Sequence, residues 1–334
     1  MIRGMYTMEQ TTQPGFSAEM FTHGITCHAL LVIHSVGLLS TLEQRPVSED
    51  EIYENERFPH PLAVIGALQA LTYGKIVEKE KGSYFLTEQG KEVTKEIDYF
   101  LHWFLAYGNV LAHSVDIAHN RYEPLPNTAF SFDQVAYSAS LIKKRLITPV
   151  LKNVLTKLKP QGTLADVGCS SGELLISLCN DFGIVGIGFE KSPDMVELAN
   201  KNIQLNTTVP IHAHYIDYMN IKGTYPDVDI VISDFFTHHV VDDEDCTNVL
   251  QSLKTAFPNS RYLLFMDNYT PENNTADPQH FAPAFDFVHR LQGIETRNLK
   301  SLERILENSG FPLVNRLDLE IPNSYLWILE MKNE

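Results

Sequence analysis

Three histidines stand where side chains could do chemistry in this sequence. His238 and His239 are adjacent in the run Ser233-Asp234-Phe235-Phe236-Thr237-His238-His239, and His289 stands in Phe285-Asp286-Phe287-Val288-His289-Arg290. An imidazole with its ordinary pKa near about 6.5 accepts a proton at working pH, or binds a transition metal as a neutral donor. Two histidines this far apart set no ligand spacing by themselves, and a lone histidine is more often a hydrogen-bonding residue or a base than a ligand. Adjacent side chains also point differently, so one of His238 and His239 is expected to face a site. The second group is Asp166-Val167-Gly168-Cys169-Ser170-Ser171-Gly172. Gly168 permits a tight turn that brings a ligand close to backbone, and Gly172 lets a helix begin without a side-chain clash. Glu190 closes the next apolar run, where a carboxylate accepts both hydroxyls of a ribose, and Asp217 closes the run after that.

Strands and helices must position these residues. After Pro160-Gln161-Gly162 the pattern alternates, with strands over 163–167, 184–189, 211–215, 229–233 and 262–266. Helices fall over 172–179, 194–202, 246–257 and 299–309, and a hairpin closes the chain over 314–319 and 324–331. Alternating strands and helices predict an α/β fold with a parallel sheet covered on both faces. Ligands bind such sheets at the carboxyl ends of the strands, where Asp166, Gly168, Glu190, Asp217 and Ser233 all fall.

The preceding segment is mostly helical. Helices are predicted over 28–39, over 48–54 with Ser48 as the cap, and over 61–71; a small hairpin turns at Gly82. Helix, helix, helix, hairpin is the order of a winged helix. A DNA-binding winged helix needs cations on its third helix, and 61–71 has none. A dimerisation and substrate-covering role is therefore preferred. The aromatic stretch 99–115 (Tyr99, Phe100, Trp103, Phe104, Tyr107) reads as core, or as the wall of a small-molecule pocket. The expected organisation is a flexible or swapped arm over 1–16, a winged-helix-like domain over 17–158 and the ligand-binding domain over 159–334.

Composition removes several classes. The 334 residues carry 26 Lys+Arg against 42 Asp+Glu, a net charge of −16, which argues against nucleic acid or an anionic membrane as partner. Four cysteines without CxxC pairs make neither a disulfide framework nor a structural zinc site. No signal-peptide core or bilayer-spanning run is read, so a cytoplasmic protein is expected.

The loop departs from the GxGxxG dinucleotide pattern and resembles motif I of class I S-adenosylmethionine-dependent methyltransferases, an acidic residue followed by GxGxG, here with Ser170 in the middle. The resemblance covers about residues 160–334 and implies a Rossmann-like seven-stranded methyltransferase domain that binds S-adenosylmethionine. Asp166, Gly168, Ser170, Gly172 and Ser233 would line the cofactor, Glu190 would hold its ribose and Asp217 would face its adenine amino group. With its front end, the chain resembles small-molecule methyltransferases of the O-methyltransferase type, which implies a homodimer. Within them it most resembles the 2-oxo acid C-methyltransferases of the phenylpyruvate and 2-ketoarginine types. The matching segments are His238-His239 through Glu244-Asp245-Cys246, residues 253–259, Asp267 and residues 285–293.

That closer resemblance implies a metal ion, iron or zinc, held by His238 and His289. A 2-oxo acid chelated there would lose its C3 proton to give an enolate that takes the methyl group. The phenylpyruvate enzyme has an Asp after the first His. Here His239 stands in its place, as a third ligand, a proton-transfer group or a supporting residue; it is the first candidate for the proton acceptor. Substrate candidates are Trp103, Tyr137, Asp234 and Phe236, with Tyr137 expected to pack in the core. A guanidinium substrate would call for Asp234, Asp242 or Asp243, although Asp242–Asp245 also suits a helix start. The alternatives are a metal-free O-methyltransferase using His238 or His239 as base, and a DNA-binding regulator that senses S-adenosylmethionine.

Overall fold

A computed structural model describes residues 15–122, 130–217, 221, 223–271 and 282–331. The chain divides into two compact units, 1–105 and 106–334. Of the arm expected over 1–16, residues 1–14 lie outside the described residues.

In the first unit, helix α1 (Phe16–Ser35) is followed by α2 (Leu38–Leu42), β1 (Val47–Ser48), α3 (Glu49–Glu54) and α4 (Pro61–Tyr73). Strands β2 (Val77–Glu80) and β3 (Ser83–Leu86) form the hairpin, with α5 (Glu88–Lys95) and α6 (Ile97–Phe100) after it. Helix α1 starts well before the predicted residue 28 and stops at Gly37, whose φ of +71° suits glycine. Ser48 caps α3 by accepting the Glu51 N–H at 3.1 Å, as its position before three acidic residues predicts. The hairpin turns at Gly82 (φ +84°), and β3 is the middle strand of a three-stranded sheet, β1-β3-β2. Leu30, Ile33, Leu68, Leu71 and Tyr84 form the centre of this unit's core. Among the described residues α1 alone is long and apolar enough to cross a membrane. It packs on α4, and its first turns leave Phe16, Met20 and Phe21 exposed.

A π-helix (Leu101–Ala106) leads into the second unit. Helices α7 (Gly108–Ala112), α8 (Ser114–Ala118) and α9 (Phe132–Ile142), a π-helical turn (Lys143–Ile147) and α10 (Thr148–Leu158) precede β4 (Thr163–Val167). Then come α11 (Glu173–Phe182), β5 (Gly186–Glu190), α12 (Pro193–Asn206), β6 (Ile211–Tyr215), β7 (Val228–Asp234), α13 (Asp243–Ala256) and β8 (Tyr262–Asn268). The chain ends with α14 (Ala282–Leu291), α15 (Leu299–Asn308), β9 (Leu313–Asp318) and β10 (Ser324–Glu330). The helices before β4 belong with the sheet, not with the front end. Ile147, Leu151, Val154 and Leu155 fall at helical spacing and share a core with Leu164 and Ile230 of the sheet. Each such burial stabilises by about 1.5–3 kcal/mol. Pro160-Gln161-Gly162 thus marks a turn within this unit, while the division expected at 158/159 lies at 105/106.

The sheet has seven strands in the order β6-β5-β4-β7-β8-β10-β9, parallel except for β10, which runs antiparallel to both neighbours. All seven residues of β7 are buried, as expected of a central strand covered on both faces. From β4 the chain steps outward through β5 to β6, then returns to β7 on the other side of β4. Strand order reverses there, so the carboxyl ends of β4 and β7 flank the crevice in which α/β sheets hold ligands.

Candidate active site

The loop after β4 bends through three left-handed residues, Gly168 (φ +91°), Ser170 (φ +49°) and Gly172 (φ +78°). Ser170 bears a side chain in this region, which costs about 1–2 kcal/mol. Its N–H donates to Glu190 Oε2 at 3.0 Å, while the other carboxylate oxygen accepts from Lys191 and Ser192 N–H at 2.8 and 3.0 Å. Glu190 therefore ties the loop to the end of β5. A Cβ on Gly168 would stand 3.5 Å from the Phe236 ring, so Phe236 lies directly over the turn.

Asp166 is 1% exposed, and neither carboxylate oxygen has a hydrogen-bond partner. Burial pushes its pKa up to about 7; Lys143 opposes the rise, and Asp234 and Glu190 add to it. Ser233 Oγ, at the end of β7, is likewise buried without a partner. An unsatisfied buried polar group costs about 1–3 kcal/mol. Orphaned acceptors beneath a glycine loop fit a ligand that brings cationic groups and hydroxyls, as S-adenosylmethionine does. Asp217 is exposed just beyond the end of β6.

The histidines sit on a one-turn 3-10 helix, Thr237–His239, after β7, and on α14. His238 Nδ1 donates to Asp267 Oδ1 at 2.7 Å, and His289 Nδ1 donates to the Phe285 carbonyl at 2.7 Å. Each bond fixes a tautomer with the lone pair on Nε2. The His238 ring centroid is 4.2 Å from that of His239 and 5.0 Å from that of His289. One ligand atom from each of the three lies within 4.8 Å of the others. Both adjacent histidines thus reach one site, contrary to the expectation that one would turn away; the tight turn and the approach of α14 gather the rings. His289 and His238 are buried, and His239 is exposed. Although His239 keeps solvent-accessible surface, the dense packing around its ring desolvates it, and this, then the imidazoles of His238 and His289, holds its pKa well below the usual imidazole value.

Asp267, at the end of β8, organises the turn. It accepts the Thr237 hydroxyl and the His238 N–H (3.1 Å) on Oδ2, and the Asn268 N–H (2.8 Å) on Oδ1. Burial alone would raise its pKa, but the His238 imidazole and these donors hold it below the ordinary carboxylate value. Arg297 secures the far side. It donates to the carbonyls of Thr237 (3.2 Å), Val240 (2.6 Å), Val241 (3.0 Å) and Asp242 (3.1 Å), and to Asp243 Oδ1 (2.7 Å).

The substrate candidates separate. Phe236 is buried beside the loop. Asp234 is already ion-paired, with Lys143 Nζ 2.6 Å from Oδ2. Burial works against the Lys143 charge, yet Asp234 and then Asp166 hold its pKa above the usual value. Tyr137 is 47% exposed on α9 rather than packed in the core, because its neighbours Ala136 and Ser138 face inward instead. Trp103 is buried within the first unit, edge-on to His102 at 4.7 Å. Tyr107, read only as part of an aromatic stripe, is buried with its ring 6.4 Å from His289. Sequence reasoning missed Lys143 and Arg297 altogether and gave Asp267 no role. Asp267 had a legible signal, an acid at the end of an apolar strand; Lys143 in Ile-Lys-Lys-Arg-Leu had none.

Residues 139–315 match the model of the methyltransferase domain family. The chain belongs to that family. The methyltransferase is 31% identical over 318 residues to the indolepyruvate C-methyltransferase of Streptomyces griseus, covering 95% of each chain. Its fold matches a Nostoc punctiforme protein provisionally classed as an O-methyltransferase, with a TM-score of 0.72, 15% identity, and 96% and 99% of the two chains covered. CalO1, a methyltransferase of calicheamicin biosynthesis in its SAH-bound form, matches with a TM-score of 0.60 at 18% identity over 94% and 96% of the chains. This methyltransferase uses S-adenosylmethionine as its methyl donor.

Proposed function

We propose that the enzyme is a metal-dependent C-methyltransferase, moving a methyl group from S-adenosylmethionine to C3 of a 2-oxo acid. The observation that carries this reading is the convergence of His238 and His289, both with Nδ1 committed to an oxygen. A neutral donor set of imidazole nitrogens suits a first-row cation such as iron or zinc. The similarity to a protein named for indolepyruvate, an aromatic 2-oxo acid, supports the same chemistry.

When bound, S-adenosylmethionine supplies a methyl group already activated on a sulfonium, and a metal cation supplies the Lewis acidity that eases loss of a proton beside a keto group. The chain supplies position and charge. Glu190 holds the Gly168–Gly172 turn in place and offers its carboxylate to the ribose. Asp166 and Ser233 offer buried acceptors beneath that turn, Asp217 stands at the β6 end for the adenine, and Phe236 covers the backbone. Asp267 and the Phe285 carbonyl hold the imidazole protons at Nδ1 of His238 and His289, which keeps both Nε2 lone pairs for a cation.

The carboxylates suggested for a guanidinium substrate are committed elsewhere. Asp234 pairs with Lys143, Asp242 caps α13, and Asp243 pairs with Arg297 and Arg304. That favours an aromatic or aliphatic side chain, with Phe236 over the glycine turn and Tyr107 6.4 Å from His289, centroid to centroid, as apolar contacts. The first unit is proposed to act as a winged-helix-like dimerisation element, through the exposed apolar start of α1; α4 carries no cation for DNA. Four free thiols suit the reducing cytoplasm.

The His238–Asp267 pair also has the form of a base with its orienting carboxylate, which favours metal-free O-methylation as the second reading. One experiment separates the two. The full chain is stripped with a chelator, reloaded with iron(II) or zinc, and assayed on indolepyruvate, phenylpyruvate and a catechol. Activity on the 2-oxo acids should vanish on stripping and return on reloading. Full 2-oxo acid turnover by the stripped enzyme, or turnover of the phenol alone, overturns the proposal.

A further inference from the structure

We infer that His239 is a third imidazole ligand in the site of His238 and His289, rather than the acceptor of the substrate's proton. This rests on the metal-dependent reading above. Nitrogens bound at about 2.0–2.1 Å to one zinc-like ion lie at most about 4.2 Å apart. One ligand atom from each of the three rings already lies within 4.8 Å of the others, so small ring rotations close the set. The His239 ring is 4.2 Å from that of His238 and 5.9 Å from that of His289, centroid to centroid.

The backbone holds this arrangement in place. His239 N–H donates to the Phe236 carbonyl at 3.1 Å, and Val240 N–H to the Thr237 carbonyl at 3.0 Å. Asp267 and Arg297 grip the same turn from opposite sides. A general base is normally oriented by a third group. Among the described residues no side chain hydrogen-bonds the His239 ring, and the residue is exposed, so water is available to the ring nitrogen that a metal does not take, an accepted partner of a metal-bound imidazole.

The test reads metal binding rather than turnover. Chelator-stripped full chain, wild type and the variants His239→Ala, His239→Gln and His289→Ala, is titrated with cobalt(II) and, by competition with a chromophoric chelator, with zinc. Circular dichroism checks the fold of each. Loss of His239 should weaken zinc by at least about tenfold and change the visible cobalt spectrum, as loss of His289 does. If both His239 variants fold, bind zinc with wild-type affinity and keep the wild-type cobalt spectrum while His289→Ala does not, His239 is no ligand and the two-histidine site stands. If wild type binds neither ion, the metal-dependent reading falls, and this inference with it.

Discussion

His238 Nδ1 lies 2.7 Å from Asp267 Oδ1, with both side chains buried at the carboxyl ends of neighbouring parallel strands. The register that sets Asp234 beside Met266 brings the turn after β7 alongside the end of β8. One carboxylate thereby fixes an imidazole tautomer and caps the turn that bears it. Replacing Asp267 by Asn keeps the shape but removes the charge and one acceptor oxygen. Zinc affinity is expected to fall by about 10–100-fold, with little loss of secondary structure. Chelator competition on the stripped variant measures it, and an unchanged affinity would remove Asp267 from the site.

Much of this arrangement was legible before the structure. β4 and β6 coincide with the predicted strands over 163–167 and 211–215: glycines 162 and 168 bracket the buried β4, and Pro210 precedes β6, which alternates buried and exposed residues at its start. The glycine loop and Glu190 fell where the alternating pattern put them, at the carboxyl ends. What sequence left dark depends on long-range approach. Lys143 and Asp234 are 91 positions apart and meet only when the turn before α10 packs on the sheet. The gathering of His239 with His238 needed the 3-10 turn, which no periodicity announces. The exposure of Tyr137 turned on which face α9 buries, and an aromatic residue does not declare that.

Asp166 gives a pH dependence with a definite sign. Its pKa is about 7 in the folded protein against 3.8 for an ordinary aspartate. Its contribution to stability is present below the unfolded value and is lost as pH rises through about 7. Asp166→Asn removes that loss. The stability of the variant relative to wild type should therefore climb between pH 5 and 7, by up to about 1.4 kcal/mol per pH unit, and level off above. Urea denaturation of the apo proteins across that range reads the difference. Parallel profiles would mean that Asp166 does not titrate there.

Lys143 is the cation that offsets both Asp234 and Asp166. Lys143→Met leaves the buried Asp234 carboxylate without its cation, and breaking such a pair from one side costs about 3–5 kcal/mol. The double variant Lys143→Met/Asp234→Asn removes the orphaned charge and should recover most of that loss. Thermal and urea denaturation of the four proteins complete the cycle. A double variant no more stable than Lys143→Met alone would show that the two side chains do not compensate one another.

Arg297 tests whether the histidine turn is held from outside. Its side chain is 7% exposed and gathers the carbonyls of Thr237 and of residues 240–242 and the Asp243 carboxylate. Lysine keeps the charge but lacks the planar fork that reaches several acceptors at once. Arg297→Lys should cost about 2–3 kcal/mol, the worth of one or two charged hydrogen bonds. The loss should also reach the proposed metal site: zinc should bind more weakly to Arg297→Lys than to Arg304→Lys, which touches Asp243 but none of the turn carbonyls. Equal affinities in the two variants would mean that Asp267 alone sets the turn and that Arg297 serves only to join α13 to α15.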